Sequence, residues 1–387
     1  MRQEEQYLLT LIKYTLNHRT KDVPFPEENF DWEVLYRCAK RHSVLSLVYY
    51  GIEHLPKESR PTDEVEKRLY QFSMREVMRN YNQTDEIEKL LKTFEEEKLY
   101  VLPVKGVCTK RHYPQPDMRS MGDIDVLCKA SQQGKLKKVM VDLGYDYEAE
   151  GRKHDHYSMK PYMNLEMHRE LVETDSKYSS YYKTVWDRVQ KREGCTYICE
   201  MTLEDEYIYN LIHLVEHFQN GGIGIRFVMD VFLYDQMEQM NWDYVRGELR
   251  SLGLLEFYSQ ISSLAKRWFA FSGEEKEEEP DVIDKMEAYV MDNGTFGNQK
   301  NEAAISVAKG GKVRFLLRAV FPNLENMKSM FPWLEKWPIL LPISWVIRGV
   351  RSILFRRGNI KVQLDKYRYG NQEYGQELQA FFKDCGL

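Results

Sequence analysis

Two aspartates separated by one residue are the strongest chemical feature of the sequence. Asp123 and Asp125 flank Ile124, and the apolar residues Val126 and Leu127 follow them. Because side chains alternate between the two faces of a strand, both carboxylates are expected on one face. Hard cations such as Mg²⁺ are commonly held by one or two carboxylates together with substrate phosphates. The pattern predicts a metal platform at a strand end, and its alternative is a solvated strand edge that closes into a turn.

The residues before and after this pair favour the metal platform. Lys105 and Gly106 end an apolar run that begins at Tyr100, and Glu166 supplies a third carboxylate on a strand-like segment from Met163 to Met167. A glycine lets backbone approach a phosphate closely, and the exposed N–H groups at a helix start favour anions. The three segments therefore predict a site that binds both a divalent cation and a phosphate.

The motifs that carry this chemistry resemble a known family. They are KG, YP, RSMGDIDVL and NLEMH, at residues 105–106, 113–114, 119–127 and 164–168. Their order resembles the polymerase-beta-like nucleotidyltransferase superfamily, in which a glycine turn after the first strand precedes an Asp-x-Asp strand and a third acidic residue. More narrowly, the sequence is similar to a bacterial family of largely uncharacterised nucleotidyltransferases.

The resemblance implies a role for each matching residue. The metal-binding and catalytic carboxylates would be Asp123, Asp125 and Glu166, and the nucleotide-contacting positions would be Lys105, Gly106 and Arg119. His168 would share a strand face with Glu166 and could contact its carboxylate from the second coordination shell. The superfamily turn is usually Gly-Ser or Gly-Gly, whereas Val107 follows Gly106 here, so a hydroxyl that would hold a phosphate is absent.

The implied activity is nucleotidyl transfer. Two Mg²⁺ ions would stabilise the entering and leaving oxygens of an in-line displacement at the α-phosphorus of a nucleoside triphosphate such as ATP. Pyrophosphate would leave, and the nucleoside monophosphate would be joined to a hydroxyl of a small molecule, a protein or an RNA. Because Val107 replaces the turn serine, a catalytically silent nucleotide-binding or interaction module is the alternative.

A second alternative comes from a zinc-peptidase-like motif. His213, Glu216 and His217 spell H-x-x-E-H on a segment that is expected to be helical, where two histidines four residues apart share a face. Zinc ligation with Glu216 as the general base is therefore one interpretation, and structural or substrate-facing histidines are the other. The cluster His154–Asp155–His156 likewise predicts either turn residues or a contact with substrate or metal.

The resemblance implies a small mixed β-sheet held between helical regions, which is an α+β fold. The hydrophobic periodicity predicts a helical region over residues 1–98, an α/β nucleotidyltransferase core over 99–200 and a helical region over 201–387. Within the core we expect strands at 99–104, 123–128, 145–150, 156–159 and 162–168, with a helix from Ala130 to Leu143 that ends at Gly144. Helices are predicted at 5–17, 32–50, 63–98, 206–219, 227–240 and 243–271.

Composition bounds the class and the compartment. The 387 residues are 43% hydrophobic, which is enough for ordinary cores and excludes a disordered protein. Six scattered cysteines without a C-x-x-C pair, and a first segment that is charged from Arg2 onward, predict reduced thiols in a cytoplasm.

Charge is distributed unevenly along the chain. Residues 274–280 form an acidic linker, while residues 309–361 carry eleven Lys and Arg against two Glu, within a chain of net charge −5. This basic region could meet an anionic partner or the acidic body of its own chain. The uncharged run from Trp337 to Ile347 is too short to cross a bilayer as a helix, so no transmembrane segment is predicted. It is expected to pack on the body, or to lie at a lipid surface with the arginines at 348, 351, 356 and 357 facing the headgroups.

Overall fold

The computed structural model describes residues 1–150, 154–161, 163–271, 281–295, 297–308, 311, 317, 320–355 and 370–387. Two compact units divide the chain. The first comprises residues 1–215, 223–295 and 386, and the second comprises 216–222, 296–385 and 387. The three regions that the sequence predicts, with boundaries at residues 98 and 200, are a different kind of division and stay a prediction. The acidic linker at 274–280 and most of the basic positions between 309 and 361 lie outside the described residues.

Four helices open the first unit, and they are α1 (Gln3–Leu16), α2 (Trp32–Arg41), α3 (Leu45–Ile52) and α4 (Asp63–Glu96). The side chain of Asp31 caps α2 by accepting hydrogen bonds from the N–H groups of Glu33 and Val34 at 2.9 and 3.1 Å. The predicted single helix at 32–50 is two helices. Ser43 lies between them with φ +57°, outside the right-handed helical region, so the chain changes direction there.

A five-stranded mixed sheet follows α4. Its strands are β1 (Val101–Val104), β2 (Ile124–Cys128), β3 (Asp146–Glu150), β4 (His154–Met159) and β5 (Met163–His168), and their spatial order is β1-β2-β5-β4-β3. Only the β2–β5 pair is parallel; the other pairs are antiparallel. The short helix α5 (Gly106–Thr109) follows β1, and α6 (Gln133–Asp142) follows β2. The predicted α+β class and small mixed sheet are confirmed.

One face of the sheet is apolar and packs on helices. Leu90 and Phe94 of α4, with Leu136 and Met140 of α6, form a buried core against alternate residues of the central strands. Those strand residues are Ile124, Val126, Cys128, Tyr157, Leu165 and Met167. Because side chains alternate, the residues between them point to the opposite face. The apolar packing therefore leaves the other face of β2, β4 and β5 for polar chemistry.

Helices complete the first unit. They are α7 (Ser179–Tyr182), α8 (Val185–Arg188), the greater part of α9 (Leu203–Asn220), α10 (Ile225–Asp235), α11 (Trp242–Ser251), α12 (Leu255–Phe269) and α13 (Asp281–Asp292). Two short strands, β6 (Gln190–Lys191) and β7 (Cys199–Glu200), pair with each other between α8 and α9. All six cysteines are free thiols.

The second unit contains α14 (Gln299–Ala308), α15 (Leu324–Met330), α16 (Leu341–Phe355) and α17 (Gln372–Asp384). Met327, Phe331 and Leu334 form a small core there, with Trp333 and Trp345 packed against it. Trp337 and Ile339, by contrast, are exposed. Among the helices of the described ranges, none combines the length and apolarity needed to cross a membrane.

Candidate active site

The strand register gathers acidic residues and three histidines on the face of the sheet that is turned away from the apolar core. Asp125 is the register partner of Glu166 across the parallel β2–β5 pair. Across the antiparallel β4–β5 pair, His156 lies opposite Glu166 and His154 lies opposite His168. Register partners present their side chains on the same face. Segments that are 40 residues apart in sequence thus form one polar surface without any loop being needed to bend toward it.

Asp125 is the most tightly held carboxylate of this surface. Its Oδ1 accepts a hydrogen bond from the Nζ of Lys105 at 2.6 Å and lies 2.7 Å from the Nε2 of His168. Burial alone would raise the pKa of Asp125, but the charge of Lys105 and the hydrogen bond from His168 outweigh it and hold the pKa well below its usual range. Asp125 is therefore ionised throughout the neutral range.

Lys105 reaches Asp125 from an unusual backbone conformation. Its φ and ψ are +57° and −129°, a region that residues with a side chain rarely adopt. Burial opposes the charge of this lysine, yet the neighbouring Tyr209 and Asp125 raise its pKa above the ordinary value. The turn between β1 and α5 thus places the Lys105 ammonium against Asp125, the β2 carboxylate that is predicted to bind a metal.

Gly106 is required by what lies beneath the turn. A Cβ built on this residue would stand 2.7 Å from the Nη1 of Arg119 and 2.8 Å from the Sδ of Met121. Real Cβ atoms do not approach heavy atoms so closely, so a larger residue would require the turn or the side chains of Arg119 and Met121 to shift. The glycine of the predicted nucleotide-binding turn therefore has a packing reason that is visible in the structure.

Asp123 and Glu166 differ in their electrostatic surroundings. Partial burial, followed by the negative charges of Glu166 and Asp125, raises the pKa of Asp123. A hydrogen bond with His168 lowers the pKa of Glu166 in spite of partial burial. Three carboxylates and one lysine leave an excess of negative charge on this face. A divalent cation would relieve that repulsion, and a metal at these residues stays a prediction.

Arg119 is placed beneath the site rather than at its surface. It is 8% exposed and donates two hydrogen bonds to Asp230, from Nε at 2.9 Å and from Nη2 at 2.8 Å. Tyr113 donates a third to the same carboxylate at 2.6 Å. Burial, then the charge of Arg119, lowers the pKa of the nearby Arg226 to about 10. Asp230 is thus the carboxylate that pairs with the buried Arg119, and a direct nucleotide contact by Arg119 stays a prediction.

A family model described as "Uncharacterised nucleotidyltransferase" matches residues 28–270, which is more than half of the chain and includes every strand of the described residues. The chain belongs to this family of uncharacterised nucleotidyltransferases. The predicted resemblance and the predicted enzyme class are confirmed. No curated protein matches the sequence. The solution structure of the antibiotic-resistance factor ANT(2'')-Ia matches 49% of this chain and 95% of its own, with 14% identity and a TM-score of 0.26.

Family membership favours nucleotidyl transfer over the zinc-peptidase interpretation. Within the described ranges, one group of three His, Cys, Asp or Glu residues has its donor atoms close enough to hold a metal ion together. That group is His154, Glu166 and His168; neither the motif at His213, Glu216 and His217 nor the set Asp123, Asp125 and Glu166 meets that distance as it stands. Both histidines of the group lie on strands of the nucleotidyltransferase sheet.

A cavity of about 400 Å³ adjoins the far end of β2 and β5 in this nucleotidyltransferase. Leu127 belongs to its wall, and Leu127 is the register partner of His168. Lysines, an arginine and two aromatic rings also contribute to the lining, which consists of Leu127, Lys129, Ala130, Ser131, Arg169, Glu170, Leu171, Val172, Thr174, Ser179, Tyr182, Lys183, Val185 and Trp186. The cavity thus combines basic and aromatic groups, and its wall residue Leu127 follows Asp125 by two residues on β2.

Two residues that the structure connects to the site are outside the set of site residues that the sequence predicted. Asp230 follows a glycine loop in sequence, and its signal was a lone carboxylate within the apolar helix IRFVMDVFLYD. His154 was assigned to a polar cluster of undecided role. Its signal was the alternation His-Asp-His beside the NLEMH segment, which places His154 and His156 on one strand face.

Proposed function

We propose that this nucleotidyltransferase moves a nucleoside monophosphate from a nucleoside triphosphate to a hydroxyl acceptor, in a reaction that depends on divalent cations of the Mg²⁺ type. The observation that carries the proposal is that Asp125 is the register partner of Glu166, and that burial and then the negative charges of both raise the pKa of Asp123. Two ions held there would supply charge stabilisation to the entering and leaving oxygens at the α-phosphorus.

The chain's own groups would orient and neutralise the substrate. The ammonium of Lys105, 2.6 Å from Asp125 in this structure, lies beside the carboxylates and can turn to meet phosphate oxygens. The Gly106 turn lets backbone approach the same phosphates. Arg119, whose two hydrogen bonds engage Asp230, would keep this turn in place from beneath.

The bond changes are those of one in-line displacement. The acceptor oxygen forms a bond to the α-phosphorus, and the bond from that phosphorus to the bridging oxygen of pyrophosphate breaks. Pyrophosphate leaves with the electron pair. The hydroxyl proton passes to solvent.

The experiment is incubation with α-³²P-labelled ATP, GTP, CTP or UTP in turn, with Mg²⁺ and a cell lysate as the source of acceptor. The Asp123→Asn, Asp125→Asn double variant removes two carboxylates of the site. The Asp142→Asn variant changes an exposed carboxylate at the end of α6 and is the matched control. Wild type and Asp142→Asn should label the same product, and the double variant should label none.

The same experiment separates transfer from mere binding. Label transferred equally by the double variant would exclude the proposed site. Nucleotide binding that requires Mg²⁺, without transfer to any acceptor, would identify the silent module instead. The size and nuclease or protease sensitivity of a labelled product would assign the acceptor to small molecules, RNA or protein.

A further inference from the structure

Two histidines and one glutamate on the polar face of β4 and β5 are arranged as a metal-binding group. The donor atoms of His154, Glu166 and His168 lie within 4.8 Å of one another. The Nε2 of His168 is 3.3 Å from one carboxylate oxygen of Glu166, and the Nε2 of His154 is 3.8 Å from the other. The two imidazole rings are 5.0 Å apart. Four-coordinate ligands at about 2.1 Å from an ion stand roughly 3.4 Å from each other, which is close to the two glutamate–histidine distances. The two histidine nitrogens, which lie within 4.8 Å of each other, would adjust to share one ion.

The backbone holds this group without flexible elements. His154 and His168 are opposite each other across the antiparallel β4–β5 pair, and Glu166 precedes His168 by two residues on the same face. The side chain of His168 is 1% exposed, whereas those of His154 and Glu166 are 22% and 23% exposed. The group thus has one buried ligand and two that open to solvent, which leaves a route for an ion and room for water or substrate ligands.

The donor types differ from those that Mg²⁺ prefers. Mg²⁺ takes oxygen ligands, whereas imidazole nitrogen suits Zn²⁺, Co²⁺, Fe²⁺ and related transition-metal ions. We propose that His154, Glu166 and His168 form a binding site for a divalent transition-metal ion of the zinc class, beside the all-oxygen pair of Asp123 and Asp125. The inference extends the proposed function, with which it shares Glu166, and it is tested without nucleotide.

Binding would exchange one partner of His168 for another. In the present arrangement its Nε2 is 2.7 Å from Asp125. To bind the ion through Nε2, the neutral imidazole would carry its ring proton on Nδ1. Asp125 would still be paired with Lys105 at 2.6 Å. The lysine thus makes it possible for His168 to leave Asp125 without stranding a buried charge.

The test is titration of the metal-depleted full-length protein with Co²⁺, followed by visible absorption. Nitrogen and oxygen ligation in a four- or five-coordinate site should give d–d bands of high intensity, without the thiolate charge-transfer bands that cysteine ligands would add. Zn²⁺ should displace the Co²⁺ at one equivalent, and Mg²⁺ at tenfold higher concentration should not.

Three variants locate the ion. His154→Ala and, as a second variant in case the first disturbs β4, Glu166→Gln should each weaken Co²⁺ binding at least about tenfold, as expected when a ligand is lost. His54→Ala, which changes an exposed histidine outside the sheet, should leave the affinity unchanged. Thermal unfolding without metal checks that each variant is folded.

Two results would overturn the inference: wild type without intense Co²⁺ bands, or folded His154→Ala and Glu166→Gln variants that bind Co²⁺ as tightly as wild type. Transfer of label with Mg²⁺ alone by a protein that does not bind Co²⁺ would leave the proposed function standing and remove this site. Co²⁺ binding that depends on His154 and Glu166, in a protein that transfers no label, would support the site and count against the proposed function.

Discussion

The ammonium of Lys105 lies 2.6 Å from the Oδ1 of Asp125, and the backbone that carries it there has a φ of +57°. A residue with a side chain pays about 1–3 kcal/mol for such a conformation. Glycine adopts the same conformation without that cost. The protein therefore has a strained backbone at the residue that supplies the ammonium. The turn joins a local conformational penalty to a specific electrostatic contact with the proposed metal-binding carboxylate.

Replacing Lys105 with glycine should give a more stable protein than replacing it with alanine. Both variants lose the ion pair with Asp125, but only alanine keeps a Cβ at positive φ. We expect the glycine variant to have the higher free energy of unfolding, by about 1 kcal/mol, in urea at pH 7 without metal. At Lys138, an exposed position within α6, the order should be the reverse. If the alanine variant were the more stable one at Lys105 as well as at Lys138, the turn would be unstrained.

The Gly106→Ala substitution should destabilise the protein. The added Cβ would meet the Nη1 of Arg119 at 2.7 Å and the Sδ of Met121 at 2.8 Å, so a cost of about 1–3 kcal/mol is expected. Denaturant unfolding measures it. Gly134→Ala is the control, because nothing lies within 4 Å of that Cβ and the residue is in α6. A loss no greater than that of Gly134→Ala would show that the turn does not pack as described.

The stability contributed by Asp125 should depend on pH in a defined direction. Its pKa is held below the unfolded value of about 3.9, so the contribution is present above that pH and is lost as pH falls through the folded value. The raised pKa of Lys105 makes its contribution present below about pH 10.4 and lost as pH rises further. The ion pair therefore contributes across the neutral range.

Asp125→Asn should accordingly lower the free energy of unfolding by about 3 kcal/mol at pH 7, since Lys105 is left without its carboxylate. The difference from wild type should shrink between pH 4 and pH 3. Unfolding curves at a series of pH values measure this, with the exposed Asp142→Asn as the control. A difference that stays constant down to pH 3 would contradict an Asp125 held ionised by its neighbours. Loss of transfer in this variant has to be read together with its stability.

Arg119→Lys should be costly although it conserves charge. Lysine cannot reproduce the two parallel hydrogen bonds that the guanidinium makes to Asp230, and the site is buried. We expect a loss of about 2 kcal/mol in denaturant unfolding. Arg246→Lys, in an exposed pair with Asp243, should change the free energy of unfolding by less than about 0.5 kcal/mol. Equal effects at the two positions would exclude a structural role for the Arg119 pair.

Local patterns were enough to predict the elements of the sheet. The alternation around Asp123 and Asp125 predicted a strand at 123–128, and the structure has one at Ile124–Cys128. The apolar periodicity before Gly144 predicted a helix that the structure places at Gln133–Asp142. The helix predicted at 32–50 was interrupted because a single residue, Ser43, took a positive φ that periodicity does not reveal.

The sequence by itself determined the approximate positions of the five strands of the mixed sheet, the close spacing of the carboxylates Asp123 and Asp125, and the resemblance to a nucleotidyltransferase family. These properties depend on the spacing of neighbouring residues. Only the tertiary structure decided that Arg119 pairs with Asp230, 111 residues away, and that His154 joins Glu166 and His168. The physical reason is that a buried charge takes the partner that the fold brings within hydrogen-bonding distance, and strand register, not sequence separation, sets that distance.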